Sequence, residues 1–299
     1  MISIILPTYN RFEIVRETIQ KIISIKTDIL FETIVVNDGA ELPFTIEHPL
    51  LTVLKNPKRG AASARNYGAT HAKYSILFFI DDDMWITEKS LIAIRQFSEN
   101  GFLNANCVLL NWRYPDELIQ KMSQNKIGRY LLKSDYHKLE GRLHQKIDDH
   151  VSLLKINSVG SGSFVINKLL FDSIGQYNES FVFQGEDIEL SEKLLKNKTG
   201  IYLYTQLTCF HNQKDRLDIN EFTDRDYRGY LSQFKNNSLS PKPAILKQLF
   251  FTLLLPFNNI IRYLFNQIPN NTAFDRITFR IIGILSSIAY FKALYHARK

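Results

Sequence analysis

The sequence predicts an α/β protein: a mostly parallel sheet flanked by helices, followed by an apolar, basic helical tail. Three observations lead there. Short β-branched apolar runs alternate with helical patterns through the first half, the arrangement that builds βαβ units. Acidic residues directly follow two of those runs. Residues 241–299 combine helical apolar patterning with the whole charge excess of the chain.

The elements follow in order. Ile2–Leu6 is a buried strand, with Pro7-Thr8-Tyr9-Asn10 as its turn. Arg11–Ser24 carries Ile14, Val15, Thr18, Ile19, Ile22 and Ile23 on one helical face. Phe31–Val36 is a second strand ending in the turn Asn37-Asp38-Gly39. Leu51–Leu54 is a third strand and Gly60–Ala72 a helix of small residues. Ser75–Ile80, the most apolar strand, runs straight into Asp81-Asp82-Asp83. Ligands of open α/β sheets bind beyond the carboxyl ends of the strands, so Asp38 and the three aspartates belong on one edge.

A helix at Lys89–Ser98 and a strand near Cys107–Asn111 come next. Residues 115–155 read as helical and polar, with Asp148-Asp149-His150 as a solvated helix face rather than a metal cluster. Gly160-Ser161-Gly162-Ser163 turns into the strand Phe164–Ile166. The loop Gly175–Gln184 leads to Gly185-Glu186-Asp187, which opens a helix reaching Asn197. Ile201–Tyr204 and Thr208–Phe210 are separate short extended runs, the second ending at His211, and residues 212–240 are polar and loop-rich. The tail divides at Pro269-Asn270-Asn271 into helices over 243–266 and 273–297.

Charge and composition narrow the partners. The chain has 299 residues, 45% of them hydrophobic, enough for a substantial core. Two cysteines, Cys107 and Cys209, imply no disulfide framework, which suits a reducing compartment. The N-terminus lacks a basic leader and reads as a strand, not a signal peptide. Residues 1–240 hold 29 bases and 29 acids, a neutral body that argues against nucleic acid as partner. Residues 241–299 hold eight bases and one acid, which points to a membrane surface. The uncharged stretch Ile281–Phe291 falls short of the roughly 20 apolar residues of a span, so the tail is expected to lie in the membrane plane. The competing readings of the tail are core helices or an interface between copies in a homo-oligomer.

Three adjacent aspartates repel one another unless a cation compensates. In an extended segment Asp81 and Asp83 share one face while Asp82 points elsewhere. Hard carboxylate oxygens suit Mn²⁺ or Mg²⁺, and such an ion assists a leaving diphosphate as a Lewis acid. The plain alternative is an acidic loop capping the next helix.

Five motifs in this order resemble glycosyltransferase family 2, enzymes of the GT-A fold. They are Pro7-Thr8-Tyr9-Asn10-Arg11, Val36-Asn37-Asp38-Gly39, Gly60-Ala61-Ala62-Ser63-Ala64-Arg65-Asn66, Phe79-Ile80-Asp81-Asp82-Asp83 and Gly185-Glu186-Asp187-Ile188-Glu189-Leu190. The match runs over residues 1–211. The resemblance implies an inverting, metal-dependent transferase acting on a nucleotide-sugar, UDP-linked by analogy. Residues 1–111 would form its nucleotide-binding half, 112–240 its acceptor-binding half and 241–299 the membrane-associating tail. Pro7, Thr8, Tyr9 and Asp38 would hold the nucleobase and ribose, Arg65 would approach the phosphates, and Asp81 and Asp82 would contact the donor. Asp83 would ligate the metal, with His211 as second ligand, and Asp187 would be the general base. The acceptor implied is a glycan or lipid-linked glycan in surface polysaccharide synthesis, with the enzyme cytoplasmic and peripheral on the inner face of the cell membrane.

Each residue has a duller reading: Asp38 as a turn residue, Arg65 as a surface ion pair, Glu186 and Asp187 as acids at a helix N-terminus, His211 as a structural hydrogen-bonder. A sugar nucleotidyltransferase would need a Gly-rich loop where Pro7-Thr8-Tyr9-Asn10 stands. A glycoside hydrolase needs two carboxylates and would have no use for Asp38 and Arg65. A non-catalytic, membrane-associated nucleotide-sugar or glycan-binding protein would bind donor without turnover.

Overall fold

The computed structural model describes residues 1–143, 146–147, 150–160, 162–235, 239 and 245–297, with no account of the side chains of 216 and 245–249. The Asp148-Asp149 pair and Ser161 lie outside the described residues. The chain forms two compact units, Met1–Arg113 with Lys146–Asn212, and Tyr114–Gln145 with Gln213–Lys299. The boundary expected at residue 240 falls outside the described residues.

The first unit contains β1 (Ile2–Thr8), α1 (Phe12–Ile23), β2 (Phe31–Asn37), β3 (Leu51–Lys55), α2 (Ala61–His71), β4 (Ile76–Ile80), β5 (Met84–Ile86), α3 (Glu88–Glu99) and β6 (Asn106–Arg113). In the second unit the chain forms α4 (Asp116–Ser123), α5 (Lys126–Lys133) and α6 (Leu139–Leu143). It returns to the first for β7 (Leu153–Lys155), β8 (Ser163–Asn167), α7 (Lys168–Ser173), α8 (Glu186–Lys196) and β9 (Gly200–His211). The second unit ends with α9 (Ile219–Lys235), α10 (Ile245–Leu254), α11 (Asn258–Gln267) and α12 (Asp275–Ala297).

The strands order as β3-β2-β1-β4-β8-β6-β9-β5, with β7 beside β9. The first four are parallel, with Ile2 opposite both Phe31 and Ile76. β1, β2 and β4 are buried on both faces, and β4, Ile76–Ile80, is a continuous apolar run rather than an alternating one. Beyond β4 the sheet is mixed: β8 runs antiparallel to β4 and β6, whereas β6 and β9 are parallel. The chain between β6 and β7 belongs to the other unit, so no crossover helix of this unit obliges β8 to be parallel. The two runs expected at 201–204 and 208–210 are one strand, irregular in register opposite Leu110–Trp112.

Helix α2 lies tight on β1 because its small residues permit it. A Cβ on Gly68 would come within 2.5 Å of the Ile5 side chain, so only glycine fits there. The thiols of Cys107 and Cys209 are free and buried, in line with the absence of a disulfide framework.

In the second unit α9 overturns the loop expected over 212–240. Its apolar residues, Ile219, Thr223, Tyr227, Tyr230 and Phe234, recur at helical spacing among charges that lower the local average. Tyr230 and Phe234 meet Tyr290 of α12 edge-on at 5.1 and 5.2 Å. Arg129 on α5 grips both oxygens of Asp275 at 2.9 and 3.0 Å, and Lys126 donates to the carbonyls of Phe265 and Ile268 at the end of α11. The chain over Thr272–Ala297 is long and apolar enough to cross a membrane by length and composition, contrary to the short stretch counted from sequence. Nonetheless Thr278, Ile282, Leu285, Ile288, Ala289, Ala293 and Leu294 of α12 are buried within the protein.

Candidate active site

Asp81-Asp82-Asp83 form a turn and not an extended segment: the Asp81 carbonyl accepts the Met84 N–H at 3.0 Å. The division of side chains expected for an extended segment is kept only in part: Asp81 and Asp83 approach His211 together, but Asp82 and Asp83 share Arg11. Asp82 accepts from the Thr8 hydroxyl at 2.8 Å and from the Arg11 guanidinium. Asp83 is fully buried; one oxygen accepts from Arg11 at 2.8 Å and the other meets His211 Nε2 at 2.9 Å.

His211 reaches this turn because β5, which continues from it, pairs antiparallel with the end of β9 and sets Met84 opposite His211. The Asn212 N–H then donates to the Asp83 carbonyl at 2.7 Å, and the Trp112 ring packs edge-on against the imidazole at 4.7 Å. One ligand atom each from Asp81, Asp83 and His211 lie within 4.8 Å of one another. Two carboxylates and an imidazole are a donor set that fits a divalent first-row or alkaline-earth cation, the nitrogen favouring Mn²⁺ over Mg²⁺.

Burial pushes the Asp82 carboxyl up from its usual range; Asp83 and Asp81 push the same way, while Arg11 and Thr8 pull it back. Arg11 is thus the counter-charge of the turn. It stood inside the first motif, but sequence reading gave it no role. The signal available was a cation immediately after the β1 turn on the edge that carries three acids. Replacing it, Arg11→Ala, is expected to lower metal-free stability by about 2 kcal/mol and to enlarge the stabilisation by added Mn²⁺. Thermal unfolding with and without Mn²⁺ measures both, and equal shifts in parent and variant would exclude a shared charge.

Arg65, from α2, is 5% exposed and spans two elements. It donates to Asp81 at 3.0 Å and to Glu186, the first residue of α8, at 2.8 Å. Burial works against its charge, yet Glu186, Tyr177, Asp81 and Asp187 outweigh it and hold the guanidinium more firmly protonated than usual. Glu186 is likewise buried; its role as partner of Arg65, missed in the sequence, needed the fold to bring together residues 121 apart. Asp187 follows it, half-buried in the first turn of α8.

Asp38 sits at the end of β2 in a neighbouring network. Its oxygens accept the Gly60 N–H at 3.0 and 3.1 Å and the Asn56 amide at 2.6 Å. Gly60 precedes α2 with φ of 129°, so Asp38 anchors the start of the helix that carries Arg65. Tyr9 is exposed, with Arg59 donating to its hydroxyl at 3.3 Å, and Pro7 lies in β1 opposite Val36. In the first unit Thr8, Asp82, Arg11, Asp83 and His211 form one bonded network, Asp81, Arg65 and Glu186 at the start of α8 form a second, and the two approach where Asp81 nears Asp83 and His211, while Asp38 holds Gly60, five residues before Arg65.

The family model for glycosyl transferase family 2 matches residues 3–169. A glycosyltransferase of Haemophilus influenzae is 31% identical over 121 residues, 37% of this chain and 41% of its own length. The chondroitin synthase of Pasteurella multocida is 25% identical over 226 residues, 64% of this chain and 23% of its own. The crystal structure of GalNAc-T7 with UDP, GalNAc and Mn²⁺ has a TM-score of 0.50 at 15% identity, over 71% of this chain and 43% of that one, a likeness of fold. The chain spans less than half the length of the curated relatives it matches. The family match takes in more than half of the sequence, from β1 through Asp38, Arg65 and the aspartate turn to β8, and this chain belongs to glycosyl transferase family 2.

Proposed function

We propose that the chain is an inverting glycosyltransferase that moves a sugar from a nucleoside-diphosphate donor to a hydroxyl of a glycan or lipid-linked acceptor. The observation that carries this reading is the bridge Asp81–Arg65–Glu186, which ties a cation-binding donor set to the helix bearing Asp187. Family membership supports it, as does the fold shared with GalNAc-T7, which was crystallised with UDP, GalNAc and Mn²⁺. Surface polysaccharide synthesis is the process in which such an acceptor arises.

Asp81, Asp83 and His211 would hold the divalent ion, which when bound supplies Lewis-acid charge to the donor diphosphate. Asp187 takes the proton of the acceptor hydroxyl as its oxygen bonds to the anomeric carbon. The bond from that carbon to the diphosphate oxygen breaks on the opposite face, and its electron pair leaves with the diphosphate. Asp38 keeps lone pairs beyond those used by Gly60 and Asn56, so it can accept a nucleobase N–H. Thr8 and Asp82 act from behind: their polar atoms face each other and Arg11, which fixes the turn. Arg65 faces carboxylates on both sides and serves the site as a brace whose charge reaches the phosphates through space.

A panel of nucleotide-sugars, assayed by thermal shift with and without Mn²⁺, tests the reading. One donor is expected to raise the melting temperature only with metal, since selective binding to the native state stabilises it. Asp83→Asn should abolish that metal-dependent shift. No response to any donor would sink the transferase reading; binding without transfer to any acceptor would favour the non-catalytic alternative.

A further inference from the structure

We infer that the outer face of α10 and α11 is a docking surface for anionic lipid headgroups, on which the second unit lies in the membrane plane. Phe250, Leu253, Phe257, Ile260 and Leu264 are each between 51% and 72% exposed. Their spacing alternates three and four residues, so they form one stripe along α10, the turn Leu255–Phe257 and α11. The opposite side of the same helices is apolar as well: Phe251 stacks on Phe291 at 5.3 Å, and Phe265 is buried. A helix segment apolar on both sides satisfies one of them inside the protein. The other meets water at a cost that scattered surface leucines do not incur.

Charge identifies the occupant. Residues 241–299 contain one acid, Asp275, and Arg129 holds both of its oxygens. On α12, Arg276 and Arg280 are exposed, with exposed Ile277 and Ile284 on the same side. A segment that carries an apolar stripe, pairs Arg262 with Asp224, keeps Arg276 and Arg280 exposed on its last helix and leaves no carboxylate of its own unneutralised is complementary to an anionic bilayer surface, where apolar side chains enter the acyl boundary and cations meet the headgroups. Two copies pairing through it would bring like charges together. Tyr263, also exposed beside the stripe, suits the headgroup level. Helix α12 supplies the support and not the crossing, because one face of it is core and Ser286 within it donates to Asp226 of α9 at 2.6 Å.

Flotation of the full chain tests this with vesicles of phosphatidylcholine alone and of an equal mixture with phosphatidylglycerol. The chain is expected to float with the mixed vesicles, far less with the neutral ones, and less again at raised salt. The pair Phe257→Ser and Ile260→Ser should abolish flotation without changing thermal unfolding. Arg276→Gln with Arg280→Gln should weaken binding about tenfold or more. If the serine pair impairs folding, Leu253→Ser at the most exposed position is read in its place. A parent chain that stays with the unbound fraction overturns the inference, as does a serine variant that floats like the parent. A dimer in sedimentation that the serine pair dissociates also overturns it and assigns the face to a second copy.

Discussion

Asp187→Asn is expected to slow sugar transfer by about 10²–10⁴-fold while leaving metal-dependent donor binding intact. The amide keeps the size of the carboxylate and its place in the first turn of α8, but cannot accept the acceptor proton as the new bond forms. The groups assigned to the donor, Asp38 and the aspartate turn, are supplied by other elements, so their binding free energy should not change. Titration with the responsive nucleotide-sugar and Mn²⁺, beside a product assay, separates the two quantities. Loss of donor binding in parallel with loss of rate would assign Asp187 to the ground state and end its role as base.

Arg65→Met should be among the most destabilising single substitutions in the first unit, by about 3–5 kcal/mol. It leaves Glu186 buried with its charge uncompensated and releases Asp81. Arg65→Lys should recover only part of the loss, because one ammonium cannot serve two carboxylates on separate elements as a guanidinium fork does. Adding Glu186→Gln to Arg65→Met should restore stability, since it removes the orphaned charge. Denaturant unfolding of the three variants measures this; a cost below about 1 kcal/mol for Arg65→Met, the range of a surface pair, would rule out the brace.

The first half of the fold is readable from sequence because its signals are local. An unbroken apolar run such as Ile76–Ile80 can be little other than a doubly covered strand, and the residues after it must lie at the sheet edge. The same argument puts Asp38 and Asp81–Asp83 on one edge of the sheet. What local patterns do not encode is which partner a charged residue finds. The phosphate role of Arg65 comes from the family resemblance, whereas its carboxylate partners, 16 and 121 residues away, leave no local signal. Arg11 was left without a role because its acids lie 71 and 72 residues on. Helix α9 was hidden for another reason: its apolar stripe is largely tyrosine and threonine, which raise local hydrophobicity little yet pack well against α12. The direction of β8 is not legible because the apolar run Phe164–Ile166 looks the same either way round.

At Gly60 the Asp38 carboxylate, the first turn of α2 and the backbone of Val182 crowd one α-carbon, where a methyl group would stand 3.2 Å from the Val182 Cα. Five residues further along the same rigid rod is Arg65. Strain introduced at that glycine has no loop in which to dissipate and must arrive at the aspartate turn as a tilt of the guanidinium. A side chain placed there would thus disturb the sites proposed for the nucleobase and for the cation together, and its phenotype would mimic a double lesion.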